Sequence, residues 1–208
     1  MARFRLHHAP RTRASSILWL LEEAGADYEL AHHDLSAGTH KRPEFLALNP
    51  HGKLPVLEDR GPAGDWHGVV VTEGAAIAGY IADALPGAGL APAIGTPARA
   101  DYAMLMVYGP SVLEPALMDK MSPRAAAANP TATGWSSFEE AVARLDARLQ
   151  NGPWMLGERF SAADVMLGSG LTWFTMWKLL EPTPAIARYI AALTARPAAI
   201  RARELEAA

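Results

Sequence analysis

Two short segments carry the residue types and spacing that suit a binding site: Asn49-Pro50-His51-Gly52-Lys53-Leu54-Pro55-Val56-Leu57 and Thr72-Glu73-Gly74-Ala75-Ala76-Ile77. A proline entering a strand has no N–H for the ladder, so it stands at the first position or at an edge. Cis is cheap only for an X-Pro bond, at roughly 0.5–1 kcal/mol. A cis Leu54-Pro55 bond turns the Leu54 backbone outward, where it can pair antiparallel with an extended peptide. Glu73 and Gly74 stand at a strand-to-helix turn, and the free N–H groups of a helix's first turn attract a carboxylate. Thr12, at the start of another expected helix, is a favoured cap whose hydroxyl sits among groups of the same kind.

Composition removes several other chemistries. The chain has 208 residues and no cysteine, which excludes disulfides, thiolate metal sites and a cysteine nucleophile, and fits a reducing compartment. Seven histidines include the pairs His7-His8 and His32-His33, yet neither pair has metal-ligand spacing on a helix face or a carboxylate partner legible in the sequence. No metal is expected. A net charge of −3 without a basic stripe argues against nucleic acid. No apolar run reaches the ~20 residues of a membrane span, and no signal-peptide core stands at the front. The expectation is a cytoplasmic protein without membrane or nucleic-acid partners.

These segments need elements to hold them. Strands are expected over 4–7, 28–31, 54–58 and 69–72, and helices over 12–24, 43–48 and 74–84. Gly25 stands where a helix-ending glycine belongs. Apolar residues nearly encircle the first helix, so it should be buried on more than one side. Pro and Gly crowd residues 85–96, a linker. Beyond it the chain reads as helical: 101–118 broken near Gly109-Pro110, a loop over 122–134, then 135–149, 161–180, 184–193 and 197–205. The fold class is α/β plus all-α, with domains at 1–84 and 97–208.

In combination, the two site segments resemble the N-terminal domain of cytosolic glutathione transferases, of a bacterial, theta-like or related class. Arg11-Thr12-Arg13, the run Ile17 to Gly25, and His40-Lys41-Arg42-Pro43-Glu44-Phe45-Leu46 extend the likeness. Phe160-Ser161-Ala162-Ala163-Asp164 matches that family's N-capping motif, and Arg196-Pro197-Ala198 is also similar. The resemblance implies a thioredoxin-like domain that binds glutathione, followed by a helical-bundle domain for the acceptor substrate. It implies glutathione contacts at His40, Lys41, Lys53, Leu54, Pro55, Glu73 and Gly74, with His40 and Lys41 near the glycine carboxylate. Glutathione is then a co-substrate, and no cofactor is needed.

Two positions depart from the family pattern. Gly74 replaces the usual serine after the turn glutamate, keeping the N–H and losing the hydroxyl. Ala9 stands where related enzymes place the serine that activates the thiol, which leaves Thr12 as the candidate catalytic hydroxyl. The implied function is conjugation of the glutathione thiol to a small hydrophobic electrophile, in a homodimer. Alternatives are another glutathione-dependent reaction (isomerase, reductive lyase or peroxidase) or a non-enzymatic interaction protein of the same fold. Met104, Tyr108, Trp173 and Trp177 read chiefly as core, with one or two facing an acceptor cleft.

Overall fold

The computed structural model describes residues 1–122 and 132–207. It divides into two compact units, Met1–Leu90 with Thr194–Ala208, and Ala91–Leu193. In the first unit the order is β1 (Phe4–His8), α1 (Ala14–Glu23), β2 (Tyr28–His32), α2 (Pro43–Leu48), β3 (Val56–Asp59), β4 (Val69–Thr72) and α3 (Gly74–Ala84). The sheet order is β2-β1-β3-β4, with β1 and β2 parallel and β3 antiparallel to both β1 and β4. Thus the β-α-β-α-β-β-α order expected from the sequence is present.

Alternation along β1 sends Phe4, Leu6 and His8 to one face of the sheet and Arg5 and His7 to the other. Phe4, Leu6 and His8 are fully buried. Helix α1 packs against β1, α3 and the final helix, which explains why Ile17, Leu18, Leu20 and Leu21 are all buried. That final helix, α9 (Pro197–Ala207), closes the first unit although the sequence reading grouped it with the helical half. The reason lies at the end of α1, where Glu22 and Glu23 face the unfavourable end of the helix dipole. Arg196 holds Glu23 in a two-pronged pair at 2.6 and 2.7 Å, and Arg201 donates to Glu22 at 2.8 Å. A motif spacing between distant segments gives no warning of such pairs.

The second unit is helical: α4 (Pro97–Tyr108), α5 (Glu114–Met121), α6 (Phe138–Arg148), α7 (Ala162–Met176) and α8 (Pro184–Thr194). The break expected at Gly109-Pro110 is a π-helical segment, Gly109–Leu113, so α4 and α5 run on through it. Widening the turn accommodates the donor that proline lacks. Of the loop expected over 122–134, residues 123–131 lie outside the described residues. Helix α6 starts later than expected, at a Ser137–Glu140 capping box. Helix α7 opens on the Ser161–Asp164 pair. The Asp164 carboxylate accepts from the N–H groups of Ser161 at 2.8 Å and Met155 at 2.7 Å, and from the Tyr189 hydroxyl at 3.1 Å. Burial pushes the Asp164 carboxyl up, against the pull of these bonds. No helix among the described residues is long and apolar enough to cross a membrane.

One buried carboxylate ties the far end of the sheet together. Asp59 accepts from Arg3 at 3.0 Å through each oxygen, from the Gly61 N–H at 2.7 Å and from the Tyr80 hydroxyl at 2.8 Å. Burial alone would raise this carboxyl, but the bonds from Arg3, Gly61 and Tyr80 outweigh it and hold the group below the usual range. A depressed native value makes a stability contribution that is complete above the unfolded value and is lost as the pH falls through the native one. Acid titration followed by circular dichroism should therefore show stability falling below about pH 4. Asp59→Asn should lower stability near neutral pH and flatten that acid limb; an unchanged limb would remove Asp59 as its source.

Candidate functional site

The register decides which residues meet. Val56 pairs with His7 of β1 and with Thr72 of β4, and His8 pairs with His32 of β2. The ends of β1, β2 and β4 and the start of β3 therefore lie at one end of the sheet. The segments leaving there are 9–13, 33–42, 52–55 and 73–74. Every site residue expected from the sequence, Thr12, His40, Lys41, Lys53, Leu54, Pro55, Glu73 and Gly74, stands on one of them. Sites in open sheets favour such edges, where several strand ends offer loops side by side.

Pro55 follows a cis peptide bond from Leu54, as expected. The strand begins at Val56, two residues later than the expected start, so the Leu54 N–H and C=O stand outside the ladder. Buried Asn49 organises the loop before it. Its side chain donates to the Lys53 carbonyl at 2.9 Å and accepts from the His51 N–H at 3.2 Å, and its carbonyl accepts from the Gly52 N–H at 2.8 Å. Lys41, in a 3-10 turn Thr39–Lys41, donates to the His51 carbonyl at 2.9 Å, joining the loop after β2 to the loop before β3. His40 beside it has a buried Nδ1 with no partner among the described residues.

Glu73 is the sharpest feature. This L-residue has φ 66° and ψ 116°, in a region that non-glycine residues rarely occupy, and its side chain is exposed. Backbone strain of this kind costs about 1–3 kcal/mol and clusters at sites that use it. The Glu73 carbonyl accepts from the Ile77 N–H at 2.9 Å. The N–H groups of the first turn of α3 have no side-chain cap. An exposed carboxylate and backbone N–H groups without a side-chain cap among the described residues thus stand side by side.

The stretch after β1 differs from its expectation. Helix α1 begins at Ala14, leaving Thr12 in the turn before it. The Thr12 hydroxyl donates to the Ala9 carbonyl at 2.7 Å and accepts from the Ala14 N–H at 3.2 Å. Its proton is already used within the loop, the capping role weighed for a residue of this type. Arg11 is a second L-residue with positive φ, at 59°. Both histidines ending β1 have carboxylate partners that the sequence did not disclose. His7 Nε2 is 2.9 Å from Glu58 and its Nδ1 is 2.9 Å from His33 Nε2, while His8 Nε2 is 2.8 Å from Glu206. Burial lowers His7, against the pull of Glu58. The alternating pattern of β1 was the available signal for the His8 imidazole, which shares a face with Phe4 and Leu6; the partners of both histidines lie too far along the chain to be read. Among the described residues no group of side chains suits a metal ion.

Comparison with known proteins places this architecture. Residues 2–83 match the family model for the glutathione S-transferase N-terminal domain, and residues 113–192 match that for the C-terminal domain. The chain is 30% identical over 198 residues to the disulfide-bond oxidoreductase YfcG of Escherichia coli (strain K12), covering 93% of this chain and 91% of that protein. It belongs to the cytosolic glutathione S-transferase superfamily. A solved glutathione transferase from Methylococcus capsulatus superposes with TM-score 0.79 at 28% identity, covering 98% of each chain. A glutathione transferase homolog from Sulfitobacter, solved with bound glutathione, gives TM-score 0.75 at 26% identity over 99% of each chain.

For a transferase-family chain, Gly52 is a sensitive point of this end of the sheet. Its φ is +56°, and a Cβ there would stand 2.7 Å from Lys41 Nζ and 2.9 Å from the His40 carbonyl. The side chain can move; the carbonyl cannot without moving the turn. Gly52→Ala should cost about 1–3 kcal/mol through conformation and contact together. Urea unfolding checks this, and a loss under about 0.5 kcal/mol would show that the turn yields freely.

Proposed function

We propose that the chain binds glutathione at this end of the sheet and uses its sulfur as a nucleophile, most simply to conjugate small hydrophobic electrophiles. The observation that carries the reading is the Glu73 turn. Its strained backbone sets a carboxylate for the γ-glutamyl ammonium beside N–H groups of Gly74 and Ala75 for the γ-glutamyl carboxylate. Leu54 then pairs with the cysteinyl backbone, and His40, Lys41 and Lys53 meet the glycine carboxylate. Gly74 takes part through its N–H alone.

A free thiol near pKa ~8.5 is only a few per cent thiolate at neutral pH. Lowering it by ~2 units takes about 2.7 kcal/mol. We assign that role to the Arg11 guanidinium, together with backbone amides of the loop, in preference to Thr12. Arg11 is exposed, with a positive φ, and its guanidinium has no hydrogen bond or ion pair among the described residues. In conjugation the sulfur forms a bond to carbon and the leaving group departs with its electron pair. The oxidoreductase name of the Escherichia coli relative favours a second reading, reduction of a disulfide. Two glutathiones then yield oxidised glutathione and two thiols, and with no cysteine here, both reacting sulfurs of the donor belong to glutathione.

Saturating glutathione, at a hundred times its dissociation constant, should stabilise the fold by about 2.7 kcal/mol. Arg11→Ala should preserve that gain while raising the bound thiol's pKa and lowering kcat, and Thr12→Val should mainly lower Tm. A melting curve indifferent to millimolar glutathione would favour an interaction protein instead. A panel of electrophiles and disulfides, assayed with glutathione, separates conjugation from reduction.

We also propose a homodimer in the cytoplasm. Support comes from apolar side chains left exposed on the helical unit, Val107 at 58%, Met176 at 63% and Trp177 at 56%. Sedimentation at micromolar concentration should give twice the chain mass; a monomer there would end this part of the proposal.

A further inference from the structure

Glu206 stands in the last turn of α9, an end of a helix where the dipole disfavours a carboxylate. It is nevertheless only 18% exposed and well partnered. Its Oε1 accepts from His8 Nε2 at 2.8 Å and from the Ser15 hydroxyl, and the Arg11 backbone N–H adds a weaker interaction. Burial would raise this carboxyl, but the bonds from His8 and Ser15, the His8 charge and Arg11 outweigh it and lower it. His8 is the last residue of β1, and Ser15 lies in the first turn of α1. One carboxylate oxygen therefore bridges the two ends of the loop 9–13.

We propose that Glu206 is a positioning residue for thiol activation: it fixes the span and backbone path of the loop that carries Arg11. The loop needs such a clamp, because Arg11 holds a positive φ that a free chain would leave. The Thr12 hydroxyl supplies only a local tie within it. Glu206 is the only hydrogen-bond partner of the His8 ring among the described residues, since the ring is fully buried and its Nδ1 has no partner there. Without Glu206 both imidazole nitrogens are orphaned and the strand-to-loop corner loses its reference point. The inference rests on the assignment of Arg11 to thiolate stabilisation, but its contact network is independent of that assignment.

The test uses the full chain with Glu206→Ala and Glu206→Gln. The glutamine keeps an acceptor oxygen for His8 and Ser15, so it separates the loss of the clamp from the loss of charge. Three quantities are read: hydrogen exchange of peptides spanning 9–15, the pKa of the bound glutathione thiol by thiolate absorbance, and kcat against KM. Glu206→Ala should speed exchange in the loop about tenfold or more and raise the thiol pKa by about one unit. Turnover at neutral pH should fall accordingly, with KM for glutathione within about twofold. Glu206→Gln should restore most of each. Unchanged loop exchange in Glu206→Ala overturns the clamp whether or not glutathione binds. A thiol pKa depressed in the parent protein and equally depressed in Glu206→Ala overturns the positioning role while leaving Arg11 standing. A thiol at its solution pKa in the parent protein overturns the Arg11 assignment, and the catalytic role of Glu206 with it.

Discussion

The antiparallel pairing of β3 with β1 is the constraint from which the site follows. Had β3 continued the parallel sense of β1 and β2, its start would have lain at the opposite end of the sheet from their exits. Running it backwards brings Leu54 and Pro55 to the same end as the loops after β1 and β2. The return of β4 then delivers Glu73 beside them. The hairpin between β3 and β4 thus does what a helix crossover could not do in so few residues. It sets two backbone features, the cis-proline junction outside the ladder and the start of α3, at the same end of one stiff sheet.

Around that frame the second layer is ionic and hydrogen-bonded. Asp59 locks the end of the sheet away from the site, through Arg3, Tyr80 and the Gly61 N–H. Asn49 and Lys41 lock the loops at the site end. Asn49 shapes the candidate site without being a proposed contact, whereas Lys41 both ties the loops and is a proposed contact. Variation at Asn49 or Gly52 would move the backbone around Leu54 without removing any candidate contact.

Much of this was legible in the sequence, for identifiable reasons. The element order came from Gly25, the β-branched run Val69 to Val71 and the punctuation by proline and glycine, all local signals. The Leu54-Pro55 junction and the Glu73 turn were legible because a missing N–H and a strand-to-helix change are local too. What stayed hidden was everything decided by residues far apart. The partners of His7 and His8, the Arg196–Glu23 pair and the place of α9 depend on three-dimensional packing. Thr12 is a different case: its type fitted either a thiol donor or a cap, and in this structure the carbonyl of Ala9 takes its proton. A hydroxyl's direction depends on backbone turns that residue type does not encode.

The first unit is discontinuous along the chain, because α9 joins it only after residues 91–193 have intervened. Ribosomes release domains from the N-terminal end first, at about 5–20 residues per second. The sheet and α1 to α3 therefore emerge well before the helix that covers α1 and pairs with Glu22 and Glu23. Through that interval the outer face of α1 lacks its cover, and the second unit has time to collapse by itself. Completion of the first unit must wait until the helical insert has been made, so its maturation is timed by translation of that insert rather than by its own sequence.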